Sequence, residues 1–237
     1  MFFDADYAER VTLRDGTDVV VRTIRPDDKE LLHRGFLALS AESRYRRFFA
    51  AKHDLTPAEL RYLTEVDGVR HFALGATTAD GKDGLGVARF IQLAGEPGVA
   101  EAAIAVLDAH QGKGLGSLLF QRLVAAASER GVKTFRCEML GSNQGMADLV
   151  KSLSPREPAV AISAGVMSME FALPAIGPEH PMGEPPREHG LYRFFGMVAK
   201  GEIEWTAAWK RKALRFFGED VTAASHSWDG QSIDESE

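Results

Sequence analysis

The sequence predicts a domain of the α/β (α+β) class, and three observations carry that prediction. Apolar runs rich in β-branched residues are separated by short stretches of turn chemistry. A glycine-rich turn joins one of these runs to a long stretch with apolar residues at helical spacing. A further strand-like run and a short helix then follow, so strands and helices alternate after a stretch built mainly of strands. With 45% hydrophobic and 26% charged residues, the 237-residue chain can bury such a core, and its length fits one ordinary domain carrying an extension.

The elements follow in order. "TDVVVRTIRPDD" reads as a strand stopped at Pro26, with Asp27 and Asp28 at the start of a helix. "SAESRYRRFF" and "TPAELRYLTEV" are each expected to open on a hydroxyl residue and a glutamate arranged as a capping box. "HFALGATT", "GLGVARFIQLA" and "VAEAAIAVLD" are separated by "ADGKDG" and "GEPG", turns short enough to make an antiparallel meander. Leu115, Leu118, Leu119, Leu123 and Ala126 mark the long helix, with Gly131 as its C-cap. "VKTFRCEML" is then a strand and "NQGMADLVKSL" a short helix. "AVAISAGVMSMEFALP" is two final strands turning near Gly165 and closed by Pro174.

The domain is therefore assigned to residues 1–174. Residues 175–190 are a Pro/Gly-rich linker. Residues 191–217 place Leu191, Phe194, Phe195, Val198, Trp205, Trp209 and Ala213 at helical spacing, one or two amphipathic helices. Three roles stay open for them: packing back on the domain, a homodimer contact, or a lid over an acceptor groove. Residues 218–237 form an acidic tail expected to be flexible.

The net charge of −6 argues against a nucleic-acid partner. Cys137 is the lone cysteine, so neither a disulfide framework nor a cysteine zinc site can form within one chain, and His180 and His189 are spaced too widely for a metal pair. No metal is expected. The first residues lack an apolar signal-like core and no long apolar run occurs, which points to a cytoplasmic protein without stable membrane association.

A glycine-rich turn at the start of a helix exposes backbone N–H groups ahead of the positive end of the helix dipole, an arrangement that favours phosphate. In "AVLDAHQGKGLGSLLF" a P-loop fails because Lys113 is followed by Gly114 rather than Ser or Thr. A dinucleotide fingerprint matches at Gly112 and Gly114, with Glu138 ending the next strand, but has Ser117 at its third glycine and follows an antiparallel meander. Gln111, Gly114 and Gly116 fit Q/R-x-x-G-x-G/A without mismatch. On that loop, the "LRDGTDVVVRTIRPDD" opening, the meander and "SNQGM", the chain resembles the GNAT N-acyltransferase superfamily. It is most similar to the GNAT domain of bacterial protein-lysine acetyltransferases over roughly residues 10–174.

The resemblance implies a mixed sheet of about seven strands, flanked by helices, with the fourth and fifth strands splayed to admit acetyl-CoA. The pantetheine arm would lie along the fourth strand at Ala105 and Val106. Backbone amides of Gln111, Gly112, Lys113, Gly114, Leu115, Gly116 and Ser117 would hold the pyrophosphate. Asn143 would contact the arm or shape the acceptor side. The acceptor is an amine, a protein lysine or a small molecule, and the competing reading is a non-catalytic acyl-CoA sensor or interaction module.

Amide formation from an ammonium needs a base. Glu101 is a carboxylate within an apolar strand, and "AE" at Ala100-Glu101 matches the catalytic glutamate of the domains this chain resembles. Val150 stands where many superfamily members carry a tyrosine that reprotonates the CoA thiolate, so no general acid is assigned. Cys137 is read as a core thiol, His110 as a loop residue, and "RYRR" at 44–47 as a solvated helix face.

Overall fold

The computed structural model describes residues 2–154 and 156–173. The linker, the 191–217 helices and the acidic tail lie outside the described residues. Among these residues, eight strands form one sheet: β1 (Ala8–Thr12), β2 (Asp18–Thr23), β3 (His71–Thr78), β4 (Gly84–Gln92), β5 (Val99–Val106), β6 (Thr134–Leu140), β7 (Ala159–Ser163) and β8 (Val166–Ala172). Their order across the sheet is β1-β2-β3-β4-β5-β6-β8-β7. Every neighbouring pair is antiparallel except β5 and β6. The strand beyond the expected seven is β1, whose "AERVT" alternates exposed and half-buried positions and so shows no apolar run.

Among the described residues, five α-helices accompany the sheet: α1 (Lys29–Ala38), α2 (Ala41–Phe48), α3 (Pro57–Thr64), α4 (Leu115–Glu129) and α5 (Gln144–Leu153). The capping box forms at α3, where Thr56 accepts from the Glu59 amide and Glu59 accepts from the Thr56 amide. It does not form at α2, because the residue three positions after Ser40 is Ser43. Ser40 still accepts from the Ser43 amide, while Glu42 turns to Arg46 at 2.6 Å. α4 ends as the sequence requires: Val132 N–H reaches the Ala127 carbonyl and Gly131 N–H the Ser128 carbonyl, with Gly131 at φ +75°. Ala164 and Gly165 both take positive φ, a turn whose twist matches the β7–β8 hairpin.

Alternation along the strands divides the core. One face of the sheet presents Ala88, Phe90, Ala102, Phe135 and Phe171 to α4 and α5, in a single apolar cluster with Leu119, Phe120 and Leu123. The other face carries α1, α2 and α3 around a smaller cluster of Phe36, Leu55 and Leu63. The chain start is tied down as well: Arg130 donates to the Phe3 carbonyl, and Arg122 pairs with Glu9 through two hydrogen bonds of 2.8 Å. Among the described residues, no helix is long and apolar enough to cross a membrane.

Candidate active site

β5 and β6 begin as neighbours and then part. Val99, Ala100, Glu101 and Ala102 pair with Thr134, Phe135, Arg136 and Cys137, after which β5 stays with β4 and β6 with β8. A wedge opens between Ala103–Val106 and Glu138–Leu140. The antiparallel ladder decides which backbone groups face it. Leu93 N–H bonds the Val99 carbonyl and Leu107 N–H the Leu85 carbonyl, so the odd-numbered residues of β5 bond to β4 and the even-numbered ones turn away. Of the pair expected to meet a pantetheine arm, Val106 therefore faces the wedge, whereas Ala105 is bonded to Val87. Ile104 is the other residue of this stretch whose backbone groups turn to the wedge. The Val106 carbonyl already accepts from Gln111 Nε2 at 3.0 Å, which ties the loop to the strand end.

The loop closes the wide end of this wedge. Gly112 and Gly114 take φ of +75° and +89°, and Gly114 is the N-cap of α4 without a side-chain cap bond. The amides from Gly112 to Ser117 find no acceptor among the described residues. That leaves a ring of donors at the positive end of a 15-residue helix, a fit to a phosphate group. Lys113 lies beside the ring, paired with Asp15 at 3.2 Å. Asn143 caps α5 through its side-chain oxygen, which accepts from the Met146 amide at 3.2 Å.

Glu101 sits at the point where the strands part, level with Ile91 on one side and Arg136 on the other. Its half-buried carboxylate faces α2 and α3, and its charge is felt by Arg47, Tyr62 and Cys137. Burial pushes the Arg47 guanidinium below its ordinary range, opposed by the charge of Glu101. Arg89, 4% exposed on β4, is driven down to about 9 by burial, with Arg47 adding repulsion. Its guanidinium meets His71 Nε2 at 3.1 Å and donates to the Leu63 carbonyl at 3.2 Å. His71 falls to about 4 from burial and from Arg89, so it is neutral at pH 7.

Other expectations are settled by burial. Cys137 is 0% exposed and its thiol is pushed up by burial and then by Glu101, so it is a core residue without nucleophilic character. Val150 is buried in the core on the α5 side. The "RYRR" segment is not a solvated face: Arg44, Tyr45, Arg46 and Arg47 are all half-buried, because α2 folds over β5. Sequence reading missed the tie that puts it there. Asp108, just after β5, accepts from the Ser40 amide and hydroxyl at 2.9 Å and from the Ser43 hydroxyl at 2.7 Å. The aspartate and serines lie more than sixty residues apart, so no local pattern announces them.

Comparison with known proteins agrees with this architecture. Residues 30–153 match the family model described as the acetyltransferase (GNAT) family. Acetyltransferase Pat of Mycolicibacterium smegmatis is 33% identical over 175 residues, 70% of this chain, which spans about half (49%) of that relative's length. Acetyltransferase PA5475 of Pseudomonas aeruginosa is 29% identical over 146 residues, 60% of this chain and 77% of that protein. The crystal structure of the GNAT domain of S. lividans PAT superposes with a TM-score of 0.65 at 32% identity, covering 72% of this chain and 99% of that domain. The family model covers more than half of the chain, and the chain belongs to the GNAT family of acetyltransferases.

Proposed function

We propose that the chain is an acetyl-CoA-dependent N-acetyltransferase that acts on an amine, a protein lysine or a small molecule, by direct attack in a ternary complex. One observation carries the reading: a half-buried carboxylate stands at the narrow end of the β5–β6 wedge, and a ring of unpaired amides stands at its wide end. The amides from Gly112 to Ser117 hold the pyrophosphate of the substrate. Backbone groups of Ile104 and Val106 meet its pantetheine arm, with Asn143 on the opposite wall. Glu101 accepts the proton of the attacking amine, directly or through one water, since an ammonium has no lone pair with which to reach the thioester carbon. Once bonded to the carbonyl carbon the nitrogen gives its second proton to water, and the CoA sulfur leaves as a thiolate and is protonated by water.

The test is isothermal titration with acetyl-CoA, followed in the same sample by thiol release on adding lysine peptides and small amines. Binding with release supports the transferase and names the acceptor class. Binding without release turns the reading into a sensor, and no binding overturns the assignment of the loop.

The loop makes a prediction of its own. A Cβ at Gly114 meets only the Arg14 side chain, at 4.0 Å, so Gly114→Ala is felt through the backbone, which must hold φ near +89°. That strain costs about 1–2 kcal/mol. We expect acetyl-CoA affinity to fall by about tenfold, a loss of about 1.4 kcal/mol read in the same titration. An unchanged affinity would separate the loop from the pyrophosphate.

A further inference from the structure

The face of β5 that carries Glu101 continues through Ala103 and Ala105, and at Ala105 it enters a cavity of about 100 Å³ roofed by α1, α2 and α3. Its walls are mainly apolar, with Phe36, Phe48, Leu63 and Val87 among them. Most polar groups on the wall are committed. Arg22 and Asp28 bind one another through two hydrogen bonds of 2.7 and 2.6 Å. The Thr77 hydroxyl donates to the Thr78 carbonyl, and Arg89 is held by His71 and Leu63.

Arg47 is different. Among the described residues its guanidinium makes no hydrogen bond or close ion pair, and its contact is with the Phe48 ring, 5.2 Å from the centroid. Two guanidiniums, Arg47 and Arg89, repel across this wall, and the carboxylate acting on Arg47 is that of Glu101. Arg47 is half-buried, and a cation beside an apolar wall without a hydrogen-bonded counter-ion attracts an arriving carboxylate, which would receive a charge-assisted, fork-shaped pair of bonds. The volume sets the size of the ligand. A cavity of about 100 Å³ admits a short acyl tail and leaves no room for a long chain.

We infer that this cavity receives the distal end of a short dicarboxylic acyl group of the succinyl class, with Arg47 as its counter-ion. The inference rests on the acyl-transfer reading above and names a second donor for the same site. The chemistry is the same for either donor. The amine nitrogen bonds to the thioester carbonyl carbon and the C–S bond breaks. Its electron pair leaves on sulfur, which takes a proton from water, while the amine proton passes to Glu101. The distal carboxylate takes no part in the bond changes.

The experiment compares kcat/KM for succinyl-CoA and for butyryl-CoA, which has the same chain length without the charge, using the full chain and two amine acceptors, one bearing a carboxylate and one without, with acetyl-CoA in parallel. We expect a preference for succinyl of about tenfold or more, lowered by about tenfold in Arg47→Met and partly restored in Arg47→Lys. Because the readout is a ratio within one protein sample, a partly unfolded variant does not distort it. A succinyl-to-butyryl ratio near one in the unaltered chain overturns the inference, as does a ratio that Arg47→Met leaves unchanged. A loss in Arg47→Met confined to acceptors bearing a carboxylate also overturns it and assigns the cavity to the acceptor. Acetyl transfer without succinyl selectivity sinks this inference alone, whereas absence of transfer from all three donors sinks the transferase reading first.

Discussion

Replacing Glu101 by Gln lowers kcat/KM for acetyl transfer by about 10²–10⁴-fold, the range set by loss of a positioned general base. The substitution keeps the volume and removes the basic oxygen. Acetyl-CoA affinity in the same variant stays within about twofold, because the cofactor-side donors belong to the backbone of the loop and of β5. The two readouts separate the roles. A drop in both would mean that Glu101 holds the fold of the wedge together, through its neighbours on α2 and α3. A drop in neither would remove catalysis from this carboxylate. A rise in the pH optimum of the residual activity is a further expectation, since the variant must wait for an amine that has already lost its proton.

Replacing Phe135 by Ala destabilises the domain by about 3–5 kcal/mol, the range for truncating a fully buried phenylalanine. Phe135 is 0% exposed and lies at the centre of an aromatic group, with ring centroids 5.9 Å from Phe90, 6.1 Å from Phe120 and 6.0 Å from Phe171. It also pairs with Ala100 on β5 and Phe171 on β8, at the level where the parallel pair is still joined. The cavity would open beneath the narrow end of the wedge. Denaturant unfolding measures the loss, and Val160→Ala provides the contrast. Val160 is 49% exposed on the edge strand β7, so its truncation should stay within about 0.5 kcal/mol. Equal effects at both positions would contradict the placement of Phe135.

Much of this was legible in the chain because the relevant physics is local. Gly112 and Gly114 are needed where backbone turns left-handed, and the Leu115–Leu123 spacing is the footprint of one helix face, so strand, loop and helix could be read from consecutive residues. Glu101 stood out for a similar reason, as the charged residue in an otherwise apolar strand. The sequence by itself thus determined the order of the elements from β2 onward and the glycine-rich turn that joins β5 to α4.

Tertiary structure decided what depends on pairing partners. Nothing in "AAIAV" tells whether Ile104 or Ala105 turns its amide to the wedge, since that follows from the register of β5 on β4, and shifting a register by one residue exchanges the two sides. β1 became a strand only because β2 offered it an edge, its own residues being half-exposed. The Arg47 side chain is half-buried at the cavity wall because Asp108 holds Ser40 and Ser43 and so lays α2 across β5, a contact between segments distant in sequence. Local pattern fixes which face of an element is apolar; long-range hydrogen bonds and register fix what that face meets, and here they place the charges around the candidate site.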